Sequence, residues 1–216
     1  MALKIKNSLI DADIIAKIGS FTGEKLLCKI LMSLQCKLFI HEYLVNEELI
    51  LPGLAKEQFL EMINMNQITI IHVSDLSSNE IIEYESASQV LATEMDIDLH
   101  KKRDRNTGEV KSMAMAYAKG YGFFVSDDRD ARVAAKKCLQ NLDGTYLNTI
   151  RMKDIITHIY ENDSELKLGR KTAKRLYVYT ANARLSTSEI ERQKIEKIHR
   201  LLVKEFDEKL WPLEVD

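Results

Sequence analysis

Ser8-Leu9-Ile10-Asp11-Ala12-Asp13 is a short apolar run that stops on acids, and Phe123-Phe124-Val125-Ser126-Asp127-Asp128 repeats the device far along the chain. Runs this short and this uniformly apolar read as strands buried on both faces, the pattern of a parallel sheet covered by helices. A residue just past such a strand lies at the carboxyl edge of the sheet, where open α/β folds bind their ligands. Carboxylates gathered there repel one another and resist ionising until a cation neutralises them. The chemistry this points to is Mg²⁺ or Mn²⁺ acting on phosphate.

Working outward, Ile5 to Ile10 reads as the first strand, Lys37 to His41 as the second and the β-branched run Ile68 to Val73 as the third. Gly122 to Ser126 reads as a fourth and Thr145 to Ile150 as a fifth. Helical periodicity fills the gaps at Lys25 to Leu34, Ala55 to Ile63, Glu80 to Leu91, Gly108 to Lys119, Asp130 to Leu139 and Met152 to Tyr160. A further helix is expected after strand two, through Leu49, stopped by Pro52-Gly53. Strands alternating with helices give an α/β fold, a three-layer α/β/α sandwich with a mostly parallel sheet, over residues 1–162. Residues 163–216 lack a clear strand and read as a helical extension. Ser188 and Glu191 form a capping box there, before an amphipathic stripe of Ile195, Ile198, Leu202 and Phe206.

Composition excludes several classes. With 45% hydrophobic and 30% charged residues the chain is an ordinary globular protein, and its apolar runs are too short to span a bilayer. Three cysteines without C-x-x-C spacing argue against a disulfide framework or a zinc site and make the cytoplasm the expected location. Net charge is −2, so there is no global basic field, but Lys101 to Arg105 and Lys167 to Arg175 are locally basic. Such patches hold phosphate backbones, or are simply solvated faces.

Leu9-Ile10-Asp11-Ala12-Asp13, the helix opening Gly108-Glu109 with Ala114, Ala116 and Ala118, and Val125-Ser126-Asp127-Asp128 stand in an order that resembles the PIN-domain ribonucleases over residues 4–150. The resemblance implies an endoribonuclease that hydrolyses RNA phosphodiester bonds with Mg²⁺ or Mn²⁺. Carried over by position, Asp11, Glu47, Glu109 and Asp128 form its acidic quartet, with Glu48 and Glu42 competing with Glu47 for the second place. Asp127 and Asp130 are further candidate metal ligands. Ser126, Arg129, Arg132, Lys111, Arg170 and Lys171 are candidates for holding the substrate. An RNA substrate is the implied partner. A toxin role with a cognate antitoxin stays open within the nuclease reading. The apolar stripe of the extension folds back on the domain by default, or pairs with a second copy or receives another protein.

Each acid also has an ordinary reading. Asp11 and Asp128 are placed to cap helices, Glu109 is a favourable first-turn acid, and Glu47 or Glu48 could be solvated. Two other functions stay open. Asp11 and Asp13 resemble the D-x-D of haloacid-dehalogenase-like phosphatases, although Ile14 and Ile15 depart from that pattern. The fold could also serve as a non-catalytic RNA- or protein-binding module.

Overall fold

The computed structural model describes residues 7–21, 25–49, 51, 53–101, 106–139, 147–162 and 168–182. The chain divides into two compact units, residues 1–151 and 152–216. The first is an α/β unit around a five-stranded sheet in which every pairing is parallel.

Strands β1 (Asn7–Ile10), β2 (Lys37–His41), β3 (Ile68–Ile71), β4 (Phe123–Val125) and β5 (Asn148–Ile150) lie in the order β3-β2-β1-β4-β5. They fall within the five expected runs: β2 matches its run end to end, β3 and β4 are shorter, and residues 5–6 and 145–146 lie outside the described residues. Helices α1 (Ala12–Gly19), α2 (Leu27–Met32) and α3 (Gly53–Asn64) pack together. Gln58 ties all three, accepting from the Leu27 N–H at 2.9 Å and donating to the Gly19 carbonyl at 3.0 Å. A Cβ on Gly19 would meet the Ala55 backbone, so glycine permits the close approach of α1 and α3.

A second group contains α4 (Ser78–Glu94), α5 (Thr107–Ala118) and α6 (Arg129–Ala134), with α6 running on into a π-helical turn, Ala135–Leu139. Ser77 and Glu80 close a reciprocal capping box at the start of α4. The small residues of α5, Ala114, Ala116 and Ala118, let it pack closely on α4 and on the sheet. Leu9, Ile71 and Phe124 join the core beneath these helices, while the buried Ile10, Leu38 and Ile40 lie outside it. Successive strand residues point to opposite faces, which is what two covered faces require.

The second unit contains α7 (Met152–Glu161) and α8 (Arg170–Asn182), which pack on each other; Ile155, Ile159, Ala173 and Leu176 are buried. The division at Arg151 therefore places α7 with the extension and not with the expected 1–162 domain. The run Leu176 to Tyr179 is helical. The capping box at Ser188, the stripe from Ile195 to Phe206 and most of the basic run after Lys101 lie outside the described residues. Among the described residues, no helix is long and apolar enough to cross a membrane.

Candidate active site

The strand order creates one switch point. From β1 the sheet grows through β2 and β3 to one side and through β4 and β5 to the other. Chain segments leaving β1 and β4 diverge, which opens a crevice at their carboxyl ends. Asp11 follows β1, and Asp127 and Asp128 follow β4, so both acidic runs fall at that crevice. The Asp11 N–H donates to the Val125 carbonyl at 2.9 Å, locking the two strand ends together.

Asp11 stands at the N-cap position of α1 but makes no side-chain cap hydrogen bond. It is 3% exposed, and its Oδ2 accepts from the Ser126 hydroxyl at 3.0 Å. Ser126 is fully buried and also accepts from the Asp128 N–H at 3.2 Å, so one hydroxyl joins the two acid-bearing loops. Asp128 does cap its helix, its Oδ1 accepting from the Ala131 N–H at 2.7 Å.

Glu109 enters from the first turn of α5. Its Oε2 is buried and has no hydrogen-bond partner among the described residues. The second acid comes from a π-helical turn, Leu44–Glu48, closed by a Leu49 N–H to Leu44 carbonyl bond of 2.7 Å. Such turns recur at functional sites because they reset which side chains face inward. Here Glu48 faces inward: its Oε1 accepts from the Gly108 N–H at 3.0 Å. A Cβ on Gly108 would collide with the Glu48 carboxylate and with Leu44, so the glycine beside Glu109 is a seat for Glu48.

The charges follow from this geometry. Burial pushes the Asp11 carboxyl up to about 7, with Asp13 and Glu48 adding and the Ser126 hydrogen bond opposing. Burial pushes Glu109 up to about 8, and the charges of Asp11, Glu48 and Asp128 push the same way. Glu48 is also raised by burial, against the pull of the Gly108 N–H and Lys111. Four acids thus share one field, in which Lys111 acts on Glu48 while burial and like charge dominate at Asp11 and Glu109. Among the described residues, no protein hydrogen bond reaches Glu109 Oε2, Glu48 Oε2 or Asp128 Oδ2.

The structure sorts the remaining candidates. Glu48, and not Glu47, is among the largest charges acting on Asp11 and Glu109, while the Glu47 charge reaches Lys111. Glu48 is the glutamate of this turn that is seated against Gly108. Glu42 is engaged elsewhere, accepting from the Val73 N–H at 2.9 Å and meeting His72 Nδ1 at 2.7 Å. Asp127 does not join the quartet: its Oδ2 pairs with Lys17 Nζ at 3.1 Å, and the same ammonium holds Asp13 at 2.5 Å. Asp130 is exposed in the first turn of α6. Lys111 lies over the Tyr43 ring at 3.8 Å, and burial lowers its pKa. Arg132 donates from Nε to the Asp128 carbonyl at 3.3 Å, and Arg129 is exposed beside it. Arg170 and Lys171 belong to the second unit, where Arg170 lies over the Tyr160 ring at 4.8 Å. Sequence reasoning missed Lys17, although its spacing of four from Asp13 on α1 was a readable signal.

Whether a divalent cation suits these residues can be judged from the donor set. Mg²⁺ and Mn²⁺ take hard oxygen ligands and keep several waters, and the quartet offers carboxylate oxygens at the strand ends. The partnerless buried oxygen of Glu109 fits such an ion. Among the described residues, no three acids, histidines or cysteines are drawn in closely enough to form a ready-made ligand set. Mutually repelling carboxylates have no reason to close up until a cation draws them together. No protein-family model, curated protein or solved structure matches this chain.

Proposed function

We propose that the chain is a metal-dependent endoribonuclease of the PIN-domain kind, hydrolysing RNA phosphodiester bonds at the β1/β4 crevice. The observation that carries this reading is Glu109 Oε2, buried without a hydrogen-bond partner among the described residues, in the field of Asp11, Glu48 and Asp128. Leaving a buried carboxylate unsatisfied is destabilising by a few kcal/mol, which is sustained where a ligand completes the site. Mg²⁺ or Mn²⁺ held by Asp11, Glu48, Glu109 and Asp128 would polarise the phosphate and activate water. The chain's own residues prepare for it. Ser126 fixes the orientation of Asp11, Gly108 seats Glu48, and the cap bond to Ala131 holds Asp128 at the crevice while leaving its second oxygen uncommitted.

The phosphatase reading needs Asp13 as an acid/base, and Asp13 is held by Lys17. Titration calorimetry with Mn²⁺, alongside cleavage of a fluorescent single-stranded RNA, tests the nuclease reading. Binding and cleavage are expected in the parent and lost together in Asp11→Asn. A parent protein that neither binds Mn²⁺ at millimolar concentration nor cuts RNA would overturn it, as would a phosphoryl group trapped on Asp11.

A further inference from the structure

Beside the acids, between α6 and the edge strand β5, lies a groove of about 520 Å³. Arg129, Arg132 and Lys136 line one wall, and Leu147 and Thr149 are among the residues opposite. Arg129 and Arg132 stand at i and i+3 on α6, and Lys136 follows on the π-helical turn that continues it; all three line the same groove. No acid lines the groove among the described residues, and neither Arg129 nor Lys136 has an ion-pair or hydrogen-bond partner there. Three cations facing one cavity repel each other, and an anion relieves that repulsion.

The groove also has an apolar side. Val133 stands between the cations, on the same wall, and is 53% exposed. A bare phosphate has no use for an exposed aliphatic surface. A nucleotide does, because its sugar and base are largely apolar while its phosphate is charged. This row of cations begins at Arg129, the residue after Asp128, and runs away from the crevice. At about 1.5 Å rise per residue it is roughly 10 Å long, enough for about three phosphates of a stacked single strand.

We propose that this groove is a binding subsite for the phosphodiester backbone of a single nucleic-acid strand, extending from the acidic crevice along α6. The identity of the ligand rests on the nuclease reading; the anion preference rests on the groove itself. Arg129 and Lys136 act as point charges on successive phosphates, and Arg132 both contacts the strand and braces the Asp128 loop. Lys136 had no role in the sequence reading, because only the apposition of β5 reveals that its helix face borders a cavity.

The test measures binding of a fluorescein-labelled 12-nucleotide oligouridylate to the full chain in EDTA, by anisotropy, over a series of salt concentrations. Affinity should fall with salt, and the double variant Arg129→Gln/Lys136→Gln should flatten the slope of log K against log salt by about 1.4, or ~0.7 per cation removed. Lys56→Gln, an exposed change on α3, should leave the slope unchanged. Circular dichroism melts of each variant separate lost binding from lost folding. A folded double variant with the parent's affinity and slope overturns the proposal, as does competition by oligoglutamate at the same charge concentration equal to that by the oligonucleotide. Binding that behaves as expected without any Mn²⁺-dependent cleavage would sink the nuclease reading and keep the groove. Cleavage with an unaltered slope in the double variant would do the reverse.

Discussion

Two clusters of ionisable groups sit side by side at the carboxyl edge of the sheet, and they are built on opposite plans. At the ends of β2 and β3, His41, Glu42, His72 and Tyr84 satisfy one another. His41 is 1% exposed, its Nδ1 accepts from the Tyr43 N–H at 3.0 Å and its Nε2 meets the Tyr84 hydroxyl at 3.3 Å. An Nδ1 that accepts puts the ring proton on Nε2, so Tyr84 receives it. Burial lowers the His41 pKa to about 4, and the ring is therefore neutral and structural. At the ends of β1 and β4, by contrast, Asp11, Glu48, Glu109 and Asp128 press like charges together and leave a buried oxygen without a partner among the described residues. Closeness of titratable groups does not distinguish the two clusters. What distinguishes them is whether their hydrogen bonds and charges are satisfied within the protein.

The sharpest way to break this contrast is to neutralise one member of each cluster. Asp11→Asn should lower RNA cleavage by about 10²–10⁴-fold, the range for removing a group that acts at the reacting atoms. Glu42→Gln should leave cleavage within about twofold, an effect below 0.5 kcal/mol. It should instead lower stability by about 1 kcal/mol through the weakened bond to Val73, read by urea denaturation. Equal losses of activity in the two variants would erase the distinction.

Next in size is the choice between adjacent glutamates. Glu48→Gln should weaken Mn²⁺ binding by about 10–100-fold, whereas Glu47→Gln should change it by no more than about twofold, both by calorimetry. Gly108→Ala should imitate Glu48→Gln by pushing the carboxylate out of its seat, with about 1–3 kcal/mol of overpacking strain visible in denaturation. A Gly108→Ala protein with parental stability and Mn²⁺ affinity would show that the seat is unimportant.

The two clusters also have opposite pH signatures. Asp11 and Glu109 have folded-state pKa values raised to about 7 and 8, so between roughly pH 4 and 8 the folded metal-free protein holds more protons than the unfolded chain. Their contribution therefore makes stability fall as pH rises through that window. Mn²⁺ should abolish the fall, with protons released on binding. For His41 the folded pKa is lowered, so the unfolded chain holds the extra proton between about pH 4 and 6.5, and its contribution raises stability with pH there. Urea melts in EDTA across pH 4–9, with and without His41→Gln, separate these slopes; Glu109→Gln should remove much of the fall above pH 6.

Asp11 and Asp128 were legible because each follows an apolar run directly, and a strand end in a parallel sheet has only one edge to occupy. Glu109 was legible from its place behind Gly108, although the role of that glycine was not: its lack of a Cβ matters only because Glu48 arrives from a turn distant in sequence. Neighbouring residues on a helix point about 100° apart, and choosing between Glu47 and Glu48 needs the phase of the winding, which a π-helical turn alters. The engagement of Asp127 was illegible for a similar reason, since the Lys17 ammonium that pairs with it sits on another element.

By itself, the sequence determined the alternation of strands and helices, the parallel sheet and the strand-end acids, because these depend on short-range hydrophobic pattern and on chain adjacency. The tertiary structure decided which acids share one field, which are neutralised by Lys17, and that α6 and β5 enclose a cationic groove. Those outcomes depend on side chains meeting across elements, at separations of a few ångströms that no linear spacing encodes.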